Sequence, residues 1–151
     1  MKRILLALLL SVSVARAAGP TTQAVNSPVQ SIGNLTAYTA DLHTATGDVA
    51  TIAIPAWVTA YVITNIRVTN CSTTPVLAQV GLYTGAGATG TNLVAAGTIT
   101  GASAASVVLP MTLAGTVATT RLTASSIFVR LTVANVAALT CDVNVNIQDL
   151  S

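Results

Sequence analysis

The chain has 151 residues, 52% of them hydrophobic, 7% charged and 3% aromatic, with a formal net charge of +2; this length allows one domain with a modest core. Glutamate is absent and Lys2 is the only lysine, which disfavours a helical fold because Lys and Glu usually fill exposed helix faces. The 24 threonines and the many valines and isoleucines suit a pleated sheet. The composition therefore predicts an all-β protein.

Residues 1–17 have the layout of a secretory signal peptide. Lys2 and Arg3 form a basic start, eleven mostly apolar residues follow, and a small-x-small cleavage site ends the segment before Ala18. Eleven residues of helix span only about 16 Å, roughly half of a bilayer core. We therefore expect export to the periplasm, the cell surface or the medium, with no membrane span.

Removal of this segment changes the charge of the chain. Three dispersed arginines and four aspartates remain, which gives a net charge of −1. A nucleic-acid site needs a clustered basic patch that releases counterions. Nucleic acid is therefore not expected as a partner.

The mature chain begins with a polar stretch, 18–34, that prolines and Gly33 interrupt. We predict an irregular N-terminal arm there and a β-sandwich domain over residues 35–151. The first strands are predicted at Leu35–Ala40 and Val49–Ile54, with a turn at 46–48 between them.

The longest β-like run is Trp57–Asn70, in which Val62 and Ile66 are predicted to share the buried face. A turn at Cys71–Pro75 follows. A strand is predicted next. Its buried row would be Val76, Ala78, Val80 and Leu82, which alternate with Leu77, Gln79, Gly81 and Tyr83.

The glycine-rich segment Gly85–Asn92 contains the pattern G-x-G-x-x-G of dinucleotide sites. More β-like sequence follows it instead of a helix, and no acidic residue occurs between Asp48 and Asp142. We therefore interpret it as an interstrand loop. A weak strand is predicted at Leu93–Thr100, and Pro110 marks the next run as an edge strand or a bulge.

The clearest alternation lies near the C-terminus, where Ile127–Val133 and Val143–Ile147 each place apolar residues at every second position. Six mostly small residues, 135–140, separate them, so we predict an antiparallel hairpin. The polar residues at the even positions 142–148 are expected to meet water. About eight short strands result, which predicts a single antiparallel β-sandwich with a jelly-roll-like arrangement.

Few side chains suggest chemistry. Asp41 and His43, with Asp48 nearby in sequence, could place ligands around a metal ion, but a surface histidine beside a turn is the favoured interpretation. The four aspartates are isolated and no nucleophile elbow occurs, so we expect no enzyme, no metal and no cofactor. Trp57, Tyr61 and Tyr83 are candidates for an aromatic rim that stacks on a sugar or another ligand.

The two cysteines give the most specific structural prediction. Two cysteines in an exported chain usually pair, so Cys71 and Cys141 are predicted to form a disulfide that joins the central strands to the terminal pair. The alternative is two buried free thiols.

Two segments resemble a known group of proteins. Residues 81–97, GLYTGAGATGTNLVAAG, and the segment from Arg121-Leu-Thr-Ala-Ser to Asp142-Val-Asn-Val are similar to small β-sandwich virion proteins of tailed phages and prophages. The resemblance implies a head-decoration or fibre-like component. The signal peptide and the disulfide depart from that group and would suit a bacterial envelope protein.

Together these features predict a non-enzymatic structural or interaction protein, exported or particle-decorating, that binds a particle or envelope surface or copies of itself. The mature chain has no Lys or Glu to guard its sheet edges against pairing. The alternative is a secreted carbohydrate- or ligand-binding β-sandwich of the bacterial envelope.

Overall fold

The computed structural model describes residues 30–102 and 108–151, and within these ranges the chain forms eight β-strands and no α-helix. Single turns of 3-10 helix lie at Ala86–Ala88 and Val117–Thr119. The predicted signal peptide and residues 18–29 of the predicted arm lie outside the described residues. The strands are β1 (Gln30–Asp41), β2 (Gly47–Ala53), β3 (Tyr61–Thr69), β4 (Gln79–Gly85), β5 (Thr89–Thr98), β6 (Leu109–Pro110), β7 (Ser126–Val133) and β8 (Thr140–Asp149).

The strands form two antiparallel sheets of four. Sheet A has the order β1-β8-β3-β6, and sheet B has the order β2-β7-β4-β5. Consecutive strands lie in different sheets, except that β4 and β5 pair directly. Eight strands wound in this way into two sheets make a jelly roll. The predicted all-β, jelly-roll-like sandwich is therefore confirmed.

The core is formed by the inward residues of both sheets, and the two C-terminal strands contribute much of it. Each apolar side chain that is fully buried contributes about 1.5–3 kcal/mol relative to exposure. Six residues of the predicted inward rows are fully buried: Ile127, Val129 and Leu131 on β7, and Val143, Val145 and Ile147 on β8. Val133, which was predicted to end the row of β7, is exposed.

The predicted C-terminal hairpin is wrong. Strand β7 lies in sheet B between β2 and β4, whereas β8 lies in sheet A between β1 and β3. The connection between them therefore crosses from one sheet to the other, a distance of about 10 Å. Each strand has one apolar row. When the two strands lie in facing sheets, their rows cover each other. In a hairpin the rows would lie side by side and would need a second layer to cover them.

The predicted face of β3 is right in its second half and wrong in its first. Ile66 is buried as expected, but Val62 lies on the outer face while Tyr61 and Ile63 are buried. The register against β8 shifts between Ile63 and Asn65, where β3 has one extra residue. A bulge of one residue exchanges the two faces of a strand, and the alternation pattern does not reveal it.

The sandwich begins earlier than predicted. Strand β1 pairs with β8 from Gln30 onward, opposite Asp149, so the predicted boundary at Leu35 falls inside a strand. Pro110 ends the two-residue strand β6 at the edge of sheet A, as its missing N–H predicted.

All four edge strands are interrupted or short. The register of β1 shifts twice against β8, that of β5 three times against β4, and that of β2 once against β7. Strand β6 has only two residues and contains Pro110. Bulges, proline and short length all discourage pairing with another chain. The edges that lack lysine are therefore guarded by irregular backbone instead of charge.

Candidate functional site

The predicted disulfide between Cys71 and Cys141 is present, with an S–S distance of 2.09 Å. Cys71 follows β3 and Cys141 is near the start of β8, so the bond joins neighbouring strands of sheet A at one end of the sandwich. Both residues are buried in the core. The bond therefore fixes the start of the β3–β4 loop against β8.

Hydrogen bonds continue this attachment beyond the disulfide. Ser72 donates its N–H to the Thr140 carbonyl at 2.8 Å, and Thr140 donates its N–H to Ser72 Oγ at 3.0 Å. Thr73 Oγ1 donates to the carbonyl of Ala138 at 3.4 Å. The β3–β4 loop is thus bound along its length to the β7–β8 loop.

Asn135 holds the far end of the same two loops together. Its side-chain Oδ1 accepts the N–H groups of Val76 at 2.8 Å and Leu77 at 3.2 Å. Its Nδ2 donates to the carbonyl of Ala137 at 2.9 Å. The residue is 97% removed from solvent, and a buried amide needs such partners. One side chain therefore sets the position of both loops.

A third loop, between β1 and β2, joins this arrangement through the backbone of Asn135. Asn135 donates its N–H to the Leu42 carbonyl at 2.8 Å, and its own carbonyl accepts His43 Nδ1 at 2.9 Å. The carboxylate of Asp41 accepts the N–H and the hydroxyl of Thr44, which lowers the pKa of Asp41 below its ordinary 3.8. Asp41 and His43 thus stabilise the loop.

Three exposed aliphatic side chains project from these bound loops. Val76 is 59% exposed, Leu77 50% and Val136 69%. Val76 and Leu77 donate their backbone N–H groups to Asn135, and Val136 follows Asn135 in the chain, so the three residues are neighbours through their backbones. We name this surface the loop-end patch: Val76, Leu77 and Val136.

The loop-end patch was not predicted from the sequence. Val76 was predicted in the buried row of a strand, but β4 begins only at Gln79, so Val76 and Leu77 belong to a loop. Pro75 was the available signal, since a proline favours a turn or an edge over a central strand. Nothing in the sequence marked Asn135 as a buried residue.

The three aromatic residues of the predicted rim are not brought together on one surface. Tyr61 is fully buried in the core, where its hydroxyl donates to the Ala124 carbonyl at 3.1 Å. Trp57 is 57% exposed in the β2–β3 loop. Tyr83 is half-buried on β4, and its ring lies over Gly81, which has no side chain to displace it.

The burial of Tyr61 predicts a loss of stability at alkaline pH. Burial raises the pKa of Tyr61 from 10.0 to about 12. Folding therefore favours the neutral phenol, and this contribution is complete below pH 10 and is lost as the pH rises through 12. We expect the free energy of unfolding in urea to fall between pH 10 and 12, and to fall less in Tyr61→Phe. Tyr83→Phe is the control, and equal slopes for Tyr61→Phe and the wild type would contradict the assignment.

The outer face of sheet A is polar, but it is less hydrated than the sequence predicted. Asn144 accepts the Thr36 hydroxyl at 2.8 Å and donates to Thr69 Oγ1 at 2.8 Å, so three strands are connected across the face. The side chains at 144, 146 and 148 are half-buried. Strand β8 is central in its sheet, and its neighbours on both sides cover it.

Asp142 is buried on this face, where the sequence predicted exposure to water. Its carboxylate accepts the Thr39 N–H at 2.8 Å and the Asn70 side-chain amide at 3.1 Å. Thr39 and Asn70 have positive φ angles of 49° and 56°, a conformation that is uncommon for residues other than glycine. Asp142 thus helps to hold two irregular backbone positions, one within β1 and one just after the end of β3.

The predicted loop at Gly85–Asn92 is only partly a loop, because Gly85 ends β4, residues 89–92 belong to β5, and Ala86–Ala88 form the connection. Gly87 has a positive φ of 68° and donates its N–H to Asp48 at 2.6 Å. The other carboxylate oxygen of Asp48 pairs with Arg130 at 3.0 Å. The N–H of Gly87 and the carboxylate of Asp48 are therefore used within the protein.

Within residues 30–102 and 108–151, no three His, Cys, Asp or Glu side chains lie close enough to hold a metal ion. No helix in the same ranges is long and apolar enough to cross a membrane. A cavity of about 380 Å³ lies between β5 and the segment 109–114. Its lining is mainly apolar and includes Val94, Met111 and Leu113.

The fold defines a class of protein but no single role. Jelly rolls occur in capsid proteins, lectins and cupins, and a fold of this kind hosts many functions. No family model and no curated protein matches the chain. A function must therefore be argued from the surface of this jelly roll.

Proposed function

We propose that the protein is a non-enzymatic structural module, exported or particle-decorating, that binds protein and associates with copies of itself. The observation that carries the proposal is a surface with little free charge. The described residues include seven charged side chains. Asp48 and Arg130 pair with each other, and Asp142 is buried. Such a surface can contact another protein with little cost for removing charges from water.

Exposed apolar side chains add to this argument. Single exposed residues are ordinary on any surface, but three of them lie here on two loops that Asn135 bonds together. Large apolar residues that are exposed in the described ranges are Tyr38, Trp57, Val76, Leu77, Val108, Val133 and Val136.

Export is supported by the disulfide as well as by the predicted signal peptide. Disulfides persist mainly in oxidising compartments, and the Cys71–Cys141 bond is buried in the core. An exported module would act in the periplasm, at the cell surface or outside the cell. The phage resemblance supports the alternative site of action, the surface of a virion.

The carbohydrate-binding alternative has less support. It relied on Trp57, Tyr61 and Tyr83 as one stacking rim, and Tyr61 is buried in the core. The remaining two lie on different elements, the β2–β3 loop and β4. Protein association therefore remains the better proposal.

The proposal is tested by size-exclusion chromatography with light scattering on the chain that begins at Ala18. We expect a mass that rises with concentration above that of one subunit. Purification of the native protein and mass spectrometry of its N-terminus test export, since cleavage before Ala18 leaves 134 residues. A monomer at millimolar concentration would overturn self-association, and an intact Met1 would overturn cleavage and favour assembly in the cytosol.

A further inference from the structure

We propose that the loop-end patch is the surface through which two copies of the chain associate, face to face across a two-fold axis. The inference rests on the proposed function and specifies its contact surface and its partner. Val76, Leu77 and Val136 would form the centre of the contact, so that each copy covers the apolar side chains of the other.

The surroundings of the patch have the composition of a protein interface. Ser72, Thr73 and Thr74 are exposed on the β3–β4 loop beside Val76, and Ala137 is exposed beside Val136. An apolar centre with a small polar rim and few charges is the usual arrangement of a specific interface. Sheet edges are poorer candidates, because bulges and Pro110 interrupt them.

The patch is held in place before any partner binds. Asn135 bonds to both loops, and the disulfide fixes the start of one loop against β8. Ordering a loop on binding reduces affinity, and these loops are already ordered by hydrogen bonds within the chain. The patch is therefore better prepared for binding than an exposed loop without such bonds.

Charge indicates a second copy as the partner. A two-fold contact brings each surface against itself, so any charge near the axis meets its own equivalent. Residues 70–78 and 134–140 contain no charged side chain, and the charge that the third loop adds is the exposed carboxylate of Asp41, which is bonded to Thr44. The outer face of sheet A carries Arg67, so a two-fold contact there brings two arginines near each other, whereas Asp48 and Arg130 on sheet B pair with each other.

The size of the patch indicates a reversible association. Three side chains exposed to this extent offer on the order of 300 Å² of apolar surface, the size of a patch that is often functional on a monomer. Both copies with their rims would bury about 1,200 Å² in total, which is the low end of specific interfaces. We therefore expect a dissociation constant in the micromolar range.

The test introduces one charge into each loop of the patch. Leu77→Asp and Val136→Asp place like charges opposite each other near the axis, and each is expected to raise the dissociation constant at least tenfold. Trp57→Asp is the matched control, because Trp57 is similarly exposed at the opposite end of β3. Sedimentation velocity from 1 to 500 μM measures association, and circular dichroism confirms that each variant is folded.

The outcomes separate this inference from the proposed function. A wild-type dimer that both patch variants weaken and Trp57→Asp leaves unchanged supports the inference. Association that neither Leu77→Asp nor Val136→Asp weakens overturns the patch as the contact and leaves self-association intact. If one variant does not fold, the other, which lies on a different loop, decides between these results. A wild type that is still monomeric at 500 μM overturns the loop-end patch as a micromolar contact, and one that is also monomeric at millimolar concentration overturns self-association.

Discussion

The double substitution Cys71→Ala and Cys141→Ala is expected to lower the free energy of unfolding by about 4 kcal/mol. The disulfide closes an interval of 70 residues, and the chain-entropy model gives about 4 kcal/mol for a loop of this length. Domains of this size have a total stability of roughly 5–15 kcal/mol. The loss would lower the melting temperature by on the order of 15 °C.

Urea unfolding of the wild type and the double variant, each with and without reductant, tests this expectation. Reductant present during unfolding should lower the stability of the wild type and leave the double variant unchanged, because only the wild type has a disulfide to lose. Alanine is the appropriate replacement since both sulfurs are buried among apolar residues. If the wild type and the double variant differed by less than about 1 kcal/mol in unfolding free energy under oxidising conditions, the entropic contribution of the disulfide would be contradicted.

The sequence contained enough information to predict the layers of the fold. Strict alternation identified the buried rows of β7 and β8 except at Val133, and Pro110 indicated an edge strand or a bulge. Both inferences depend on local properties, namely which face a residue occupies and whether it has an N–H to donate. The disulfide was also predictable, because the chain offers only one pair of cysteines.

Strand partners were not predictable in the same way. The six residues 135–140 are short enough for a hairpin and long enough to cross to the other sheet. Alternation gives the face of a strand but not its neighbour, so the pairing of β7 and β8 was assigned wrongly. The bulge in β3 is a similar case, since one extra residue near Ile63 exchanges the faces without changing the composition.

The loop-end patch was missed for a related reason. Val76 and Val136 are apolar residues near strand ends, and their exposure depends on where β4 and β8 begin. The loops before these strands are bonded to Asn135, which contacts residues 58 and 59 positions away along the chain. Local patterns carry no information about such distant partners.

Asn135→Ala is expected to lower the free energy of unfolding by about 3 kcal/mol, because the side chain makes three hydrogen bonds worth about 1 kcal/mol each. The amides of Val76 and Leu77 lose their acceptor, so their hydrogen exchange should accelerate more than that of amides in β7. The same change frees the loops that carry the loop-end patch. We therefore expect weaker association of the folded variant as well as lower stability.

Asn65→Ala is the matched control for this substitution, since Asn65 is an exposed asparagine on β3. It should change the unfolding free energy by less than about 0.5 kcal/mol, as is usual for surface sites. Urea unfolding and amide exchange of both variants measure the two effects separately. If Asn135→Ala lost no more stability than Asn65→Ala, or if exchange accelerated equally in all strands, Asn135 would not be the residue that positions the loops. A stability loss with selective exchange at Val76 and Leu77 would instead show that one buried amide determines the shape of the surface.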